Sequence, residues 1–156
     1  MLLQDDLRIE CVIRAPRANV WRAWSDPFHL ADWLSERPGQ LVIEKMDLVA
    51  GGAFDTRIKL SDDSSVACRA CFLDVLEGKK VIFCDALSEG WRPNFEAFFT
   101  TIITMDDHPD GTLYSTTALH KSAEDREEHR SLGILESWDA AIKRLESVAI
   151  NMPSAT

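Results

Sequence analysis

The sequence contains neither a long apolar run nor a cluster of basic residues. No stretch reaches the roughly 18 apolar residues that a membrane-spanning helix needs, so membrane insertion is not expected. The formal charge is -9 at pH 7, and no group of Lys and Arg stands out that could neutralise phosphates, so no nucleic acid partner is expected. The first residues, MLLQDD, lack a basic segment followed by an apolar one. A cytoplasmic location is therefore expected.

Cysteine is scarce, with four residues in the chain. Because the cytosol keeps thiols reduced, free thiols are expected rather than a disulfide framework. Cys68 and Cys71 have the spacing of a redox or zinc motif, but residues three apart in a strand point to opposite faces. We therefore predict two small buried thiols at these positions, and the same for Cys11 and Cys84.

Signatures of catalysis and of metal binding are also missing. The sequence has no nucleophile elbow and no phosphate-binding loop. His120, Glu124, Glu128 and His129 gather near the predicted start of the last helix, but no two histidines lie four residues apart, as a stiff ligand pair would. Acidic residues suit the positive end of a helix dipole, which favours a solvated first turn. No catalytic residue, metal or cofactor is predicted.

What the chain does contain is enough apolar material for one core. Its 156 residues are 46% hydrophobic and include five Trp and seven Phe. A chain of this length is close to the usual size of one compact domain. We predict a single domain over residues 1–150, followed by a flexible tail over residues 151–156.

The first 34 residues predict one strand and two short helices. Apolar and polar residues alternate over Leu7–Ile13, which is the period of a half-buried strand. Pro16 is typical of a first helical position and opens a helix that ends near Ser25. Asp26 followed by Pro27 is an N-cap and first-turn signal for a second helix that ends at Leu34.

The middle of the chain predicts strands separated by turn clusters. Six further strands are predicted, at residues 40–49, 53–60, 65–76, 80–87, 95–105 and 112–120. The connections are short, so neighbouring strands are expected to pair as antiparallel hairpins.

One long C-terminal helix is predicted to follow. Ser122 precedes Asp125 by three residues, a spacing like that of a capping box. Beyond it, apolar residues recur every three or four positions, as one helical face would: Leu135, Trp138, Ile142, Leu145 and Ala149. This face is expected to lie on the sheet.

These elements predict an α+β fold of the helix-grip type, in which a seven-stranded antiparallel sheet wraps around the C-terminal helix. One helix covers a strip only about 10 to 12 Å wide, whereas seven strands at about 4.8 Å spacing extend over roughly 30 Å. The sheet must therefore curve. A curved sheet leaves space beside the N-terminal half of the helix, with the two short helices closing one end.

Several motifs resemble those of the START-like helix-grip (SRPBCC) superfamily, and within it the homologues of the activator of the ninety-kilodalton heat-shock protein ATPase. The N-terminal motif consists of Ala15-Pro16, Val20-Trp21, Ala23, Asp26-Pro27, Leu30 and Trp33. Gly51-Gly52 before Phe54 resembles the double-glycine turn of the group, and Trp138, Ile142 and Leu145 resemble its closing helix. The resemblance implies the same fold, which lipid carriers, polyketide cyclases, hormone receptors and chaperone-binding domains share.

Eight residues are predicted to bind a ligand. Six are bulky residues expected to face the cavity: Trp33, Phe54, Phe83, Phe99, Leu135 and Trp138. Two others could orient the ligand: Arg69 shares an apolar strand parity with Ala67, Cys71, Leu73 and Val75, and Trp91 precedes Phe95. An inward Arg69 would favour a ligand with a carboxylate.

Three functions stay open at this point. The first is binding of an apolar or amphipathic small molecule in the cavity. The second is a chaperone-activator-like interaction module, whose acidic surface could meet a basic partner. The third is a cyclase-like or hydrolase-like enzyme, which predicts a perturbed titratable pair facing the same cavity. A homodimer also stays open, because apolar residues occupy both parities of the predicted strand 95–105.

Overall fold

The computed structural model describes residues 5–37 and 39–153, which form four helices and nine strands. The predicted start is confirmed: strand β1 is Leu7–Ile13, helix α1 is Arg17–Ser25 and helix α2 is Pro27–Leu34. Pro16 is the N-cap of α1 rather than its first helical residue. The Asp26 carboxylate accepts a hydrogen bond from the backbone N–H of Phe28 and so caps α2.

The remaining strands form one large sheet and one small hairpin. Their bounds are β2 Leu41–Met46, β3 Ala53–Lys59, β4 Ser65–Leu76, β5 Lys80–Cys84, β6 Leu87–Ser88, β7 Arg92–Pro93, β8 Thr100–His108 and β9 Gly111–Leu119. Seven strands pair antiparallel in the order β1-β9-β8-β5-β4-β3-β2, and β6 pairs with β7. The α+β helix-grip fold predicted from the sequence is confirmed.

The segment between β5 and β8 differs from the prediction. Strands were expected at 80–87 and 95–105, but β5 ends at Cys84 and β8 begins at Thr100. Side chains replace strand pairing here: the Asp85 carboxylate accepts hydrogen bonds from the backbone N–H groups of Phe98 and Phe99, and the Asn94 amide donates to the carbonyl of Asp85. Phe98 and Phe99 therefore lie in an ordered loop at the end of the sheet.

Two register shifts interrupt the pairing of the sheet. One lies between Ile43 and Lys45 in β2, and the other lies between Phe72 and Asp74 in β4. Bulges of this kind bend a strand and increase its twist. Phe54 of β3 and Tyr114 of β9 line one chamber although four interstrand steps of about 4.8 Å separate their strands. The sheet therefore curves.

The predicted C-terminal helix is two helices. Helix α3 is Ala123–Ser131 and helix α4 is Ile134–Ile150. Gly133 between them has a φ of 82°, a left-handed conformation that interrupts the helix and that glycine adopts without strain. The predicted cap is present, since the Ser122 hydroxyl accepts a hydrogen bond from the backbone N–H of Asp125.

The second half of α4 is anchored to the rest of the fold. Ile142, Leu145 and Ala149 of the predicted apolar face are buried. The amide of Asn19 donates hydrogen bonds to the carbonyls of Ala149 and Met152, so α1 holds the end of the helix. Of the predicted tail, residues 154–156 lie outside the described residues.

Within the described ranges, no helix combines the length and apolar character needed to cross a bilayer.

Candidate ligand-binding cavity

A cavity lies between the curved sheet, helix α2 and the first turns of α4. It has two adjoining parts, an inner chamber of about 160 Å³ and an open mouth of about 490 Å³. Both parts are lined by Leu34, Phe54, Phe83, Phe99, His129 and Ile134. Ile134, Ser137 and Trp138 place these two parts beside the N-terminal half of helix α4.

The inner chamber is walled mainly by aromatic and aliphatic side chains. Besides the shared residues, its lining consists of Trp24, Trp33, Thr101, Ile103, Tyr114, Thr116, Trp138, Ala141 and Ile142. The ring of Phe83 meets the ring of Phe54 edge-on, with centroids 5.0 Å apart, and Trp24 lies 6.1 Å from Phe54. Such contacts hold the wall in one arrangement, because aromatic pairs prefer edge-to-face and offset geometries.

The mouth is more polar than the chamber behind it. Its further lining residues are Ser35, Glu36, Gln40, Leu41, Thr56, Ile58, Cys68, Ala70, Ser137 and Arg144. The Arg144 guanidinium donates a hydrogen bond to the carbonyl of Trp33 over 2.8 Å and so joins α4 to the end of α2. An apolar interior with a polar rim is typical of a small-molecule site.

Five of the eight predicted residues line the inner chamber: Trp33, Phe54, Phe83, Phe99 and Trp138. The indole N–H of Trp33 donates to the carbonyl of Ala23, which satisfies its polar atom inside an apolar wall. Leu135, in the first turn of α4, is half-buried and lines neither the chamber nor the mouth. Ligand contact by any of these residues stays a prediction.

Arg69 was predicted to point inward and instead lies on the outer face of the sheet. Its guanidinium pairs with Asp55 at 3.3 Å and with Glu44 at 3.7 Å. The bulge in β4 exchanges the two faces of the strand: Cys68 lines the mouth before the bulge, and Val75 packs against the core after it. Arg69 and Val75 therefore point to opposite sides although both positions are odd.

Trp91 was predicted to lie at the cavity and instead covers the turn before β3. A Cβ atom placed on Gly51 would lie 2.7 Å from the Trp91 indole, so the ring sits directly against the glycine backbone. Trp91 has a positive φ of 65°, which a hydrogen bond from Gly90 N–H to the carbonyl of Gly51 supports. This residue holds the double-glycine turn in place.

Two histidines in contact, of which His129 lines the cavity, are not predicted by the sequence. Nε2 of His120 and Nδ1 of His129 lie 2.7 Å apart and share a hydrogen bond. The ring of His129 packs against Phe98 and Phe99, at centroid distances of 5.0 and 5.7 Å, and it lines both the chamber and the mouth. In the sequence, both histidines belong only to a weak cluster of possible metal ligands. Their contact is not visible there, because the end of β9 and the helix α3 meet only in the folded chain.

The surroundings of the two imidazoles favour their uncharged form. Burial lowers the pKa of His120, and burial together with the nearby His120 lowers the pKa of His129. Nδ1 of His120 is buried and has no hydrogen-bond partner among the described residues. In residues 5–37 and 39–153, no group of three or more His, Cys, Asp or Glu is placed to hold a metal ion.

All four cysteines are free thiols. Cys71 and Cys84 face each other across β4 and β5, and both are buried. Burial raises the pKa of the Cys68 thiol at the cavity mouth, which keeps it protonated and poorly nucleophilic. The cavity therefore presents an apolar wall and a neutral imidazole rather than an activated nucleophile.

Comparisons with known proteins agree with this fold. The chain resembles a Nitrosomonas europaea protein of solved structure, with 29% identity, 92% of each chain covered and a TM-score of 0.85. An AHSA1-like protein from Aeromonas hydrophila is 19% identical, with 97% of this chain and 99% of that chain covered and a TM-score of 0.69, which shows the fold alone. No curated protein matches the chain.

The family comparison covers nearly the whole fold. Residues 14–149 match the model described as "Activator of Hsp90 ATPase homolog 1-like protein", a stretch that runs from the end of β1 to the end of α4. It includes every residue that lines the cavity. The chain therefore belongs to the family of proteins like homolog 1 of the activator of Hsp90 ATPase.

Proposed function

We propose that this protein binds an apolar or amphipathic small molecule in the cavity between the sheet and helix α4. The supporting observation is the lining of the inner chamber, where aromatic side chains from four different helices and strands meet. They are Trp24 of α1, Trp33 of α2, Phe54 of β3 and Trp138 of α4. A ligand that covers apolar surface in such a cavity gains about 25 cal/mol per Å².

The size of the site fits a small molecule. The mouth alone measures about 490 Å³, which lies within the roughly 300 to 1,000 Å³ of typical ligand pockets. The inner chamber of about 160 Å³ adds a narrow apolar end. A ligand with a compact ring system and a more polar tail would match this division.

Strand β4 offers a matched pair of variants for testing the proposal. Ala70 is buried and lines the mouth, whereas Ala67 on the same strand is exposed. Ala70→Phe should fill the mouth and weaken binding of the neutral probe N-phenyl-1-naphthylamine by about tenfold or more, while Ala67→Phe should leave the dissociation constant unchanged. Probe fluorescence and calorimetry measure both. Absence of binding to the wild-type protein would refute the proposal.

A second candidate is a hydrolase-like activity at the same site, favoured by a titratable pair of which one member, His129, lines the cavity. The His120 and His129 imidazoles are neutral and in contact, as a general base and its partner would be. Release of fluorescent 2-naphthol from 2-naphthyl acetate tests it. A rate no higher than that of free imidazole at equal concentration would reject the enzyme hypothesis.

A third candidate follows from the family description and from charge. The net charge of -9 could steer the protein to a basic patch on a chaperone. Addition of the protein to purified Hsp90 at low salt should then raise ATP hydrolysis, and added salt should remove the effect. An unchanged hydrolysis rate at both salt concentrations would exclude this function.

A further inference from the structure

His129 supplies a polar atom of fixed direction at the inner chamber. Its Nδ1 is occupied by His120, and its ring is held by Phe98, Phe99 and Trp138. Its Nε2 makes no hydrogen bond with any residue in 5–37 or 39–153 and is not among the fully buried unpaired atoms. This nitrogen is therefore available to a molecule bound in the cavity.

The unpaired nitrogen of His120 decides which tautomer the pair adopts. If Nδ1 of His129 carried the shared proton, the buried Nδ1 of His120 would hold an N–H group with no acceptor. If Nε2 of His120 carries it instead, only a lone pair is left unpaired at His120. Orphaned buried N–H groups are rarer than under-satisfied acceptors. The second arrangement is favoured, and it places an N–H group on Nε2 of His129.

We infer that the ligand is a neutral apolar molecule with a carbonyl oxygen, of the ketone or ester class, and that the Nε2–H group of His129 donates to this oxygen. The inference rests on the proposed ligand-binding function and names the chemistry of the inner end of the site. It replaces the carboxylate ligand that an inward Arg69 would have favoured.

Charge argues against a carboxylate at the inner end. The residues lining the inner chamber include no Lys or Arg, and Arg69 pairs with Asp55 and Glu44 on the outer face. A carboxylate buried there would have no cation to offset its desolvation. A neutral carbonyl accepts the same hydrogen bond at a far smaller desolvation cost.

The test compares two probes that differ in one carbonyl, 2-acetylnaphthalene and 2-ethylnaphthalene. Calorimetry gives the ratio of their dissociation constants for the wild-type protein and for His129→Phe, which keeps an aromatic ring and loses the N–H group. The change in ratio between the two proteins cancels the difference in water solubility of the probes. Wild-type protein should favour the ketone by roughly two- to tenfold more than the variant does, the size of one hydrogen bond.

Two further variants separate His129 from the other polar groups of the chamber. Thr101→Val removes a different polar group, a hydroxyl, from the chamber lining and should leave the ratio of the two dissociation constants at its wild-type value. His129→Gln keeps an N–H donor and should restore part of the ketone preference that His129→Phe loses. Loss of the preference in Thr101→Val, or its retention in His129→Phe, would overturn the inference.

The wild-type protein alone supplies an independent test, which stands even if His129→Phe does not fold. Proton–nitrogen correlation spectra of the imidazoles distinguish the two tautomers and should show the proton of His129 on Nε2, with a shift on addition of 2-acetylnaphthalene. A proton on Nδ1 of His129 would overturn the inference. If both probes bind equally well to wild type and to His129→Phe, the carbonyl inference fails while the proposed function stands. If neither binds, the proposed function itself fails.

Discussion

His129 is the one residue of helix α3 that is buried, and its hydrogen bond to His120 ties this charged helix to the end of strand β9. Apart from Ala123, the other residues of α3 have polar or charged side chains, and Glu127 pairs with Arg126 and Arg130. One imidazole pair therefore fixes the position of the helix beside the cavity mouth.

This pair predicts a loss of stability in mild acid. Both pKa values are lowered in the folded chain, so below about pH 6.5 the unfolded chain binds more protons than the folded chain. The contribution of the pair to the free energy of unfolding is complete above the pKa that the imidazoles have in the unfolded chain. It is lost as pH falls toward the lower pKa that they have in the folded chain. The Tm, measured by circular dichroism, should fall between pH 7.5 and pH 5.5, and the fall should be smaller in His129→Gln.

The charged groups around the pair decide the size of this effect. Asp85 favours the protonated form of both rings, Asp125 and Asp6 favour that of His120, and Arg126 opposes it. His29→Gln, in helix α2, is the matched control and should keep the wild-type fall in Tm. An equal fall in wild type and in His129→Gln would show that the imidazole pair does not cause the acid sensitivity.

Gly133 predicts a substitution cost that depends on backbone conformation alone. A Cβ atom at this position would meet only the Glu136 carboxylate, at 3.8 Å, so space is available. Its φ of 82° is left-handed, and Gly133→Ala should lower the free energy of unfolding by about 1 to 2 kcal/mol. Gly133→Asn should cost less, because asparagine adopts this conformation more readily. Urea unfolding measures both, and equal costs would contradict the argument.

Asp85 should support the cavity wall from outside it. Its carboxylate accepts hydrogen bonds from Phe98 and Phe99 at 2.9 and 3.1 Å, and Phe99 lines the chamber. Asp85→Ala leaves both N–H groups unpaired, so it should lower the free energy of unfolding by about 2 kcal/mol and weaken probe binding. Asp85→Asn keeps one acceptor oxygen, so its stability and its probe affinity should lie between those of the wild type and those of Asp85→Ala. Chemical denaturation with a parallel probe titration gives both quantities, and unchanged probe binding in Asp85→Ala would count against the role.

For Arg69, unlike Asp85, we expect a substitution to leave probe binding unchanged. Its ion pairs with Asp55 and Glu44 are partly exposed, so Arg69→Ala should lower the free energy of unfolding by only about 0.5 to 1 kcal/mol. Probe binding should stay at the wild-type level because the side chain lies outside the cavity. A several-fold weaker affinity would mean that the outer face communicates with the site.

Regular patterns made much of the fold predictable. Strict alternation placed strand β1 at Leu7–Ile13, and Asp26 with Pro27 placed the start of α2, because local geometry determines both signals. Bulges left no such trace. The register shift after Phe72 reverses which residues of β4 face the core, and this reversal misplaced Arg69.

Contacts between distant segments made the rest unpredictable. The loop before β8 forms because Asp85 accepts hydrogen bonds from residues 13 and 14 positions later. The apolar residues of this loop are also typical of a strand, so the sequence predicts a strand there. The imidazole pair likewise requires the break at Gly133, which separates α3 from α4. Of the site, the aromatic wall was predictable and its polar atom was not.

The irregularity at Glu44 also has a consequence for self-association. Strand β2 is an outermost strand of the sheet, where unpaired backbone groups offer a template for another chain. The register shift there, with Glu44 and Lys45 beside it, breaks the even row of donors and acceptors that an incoming strand needs. Growth of the sheet from copy to copy is thereby hindered at this border, and a dimer that extends the sheet would have to pair at its other outermost strand, β1.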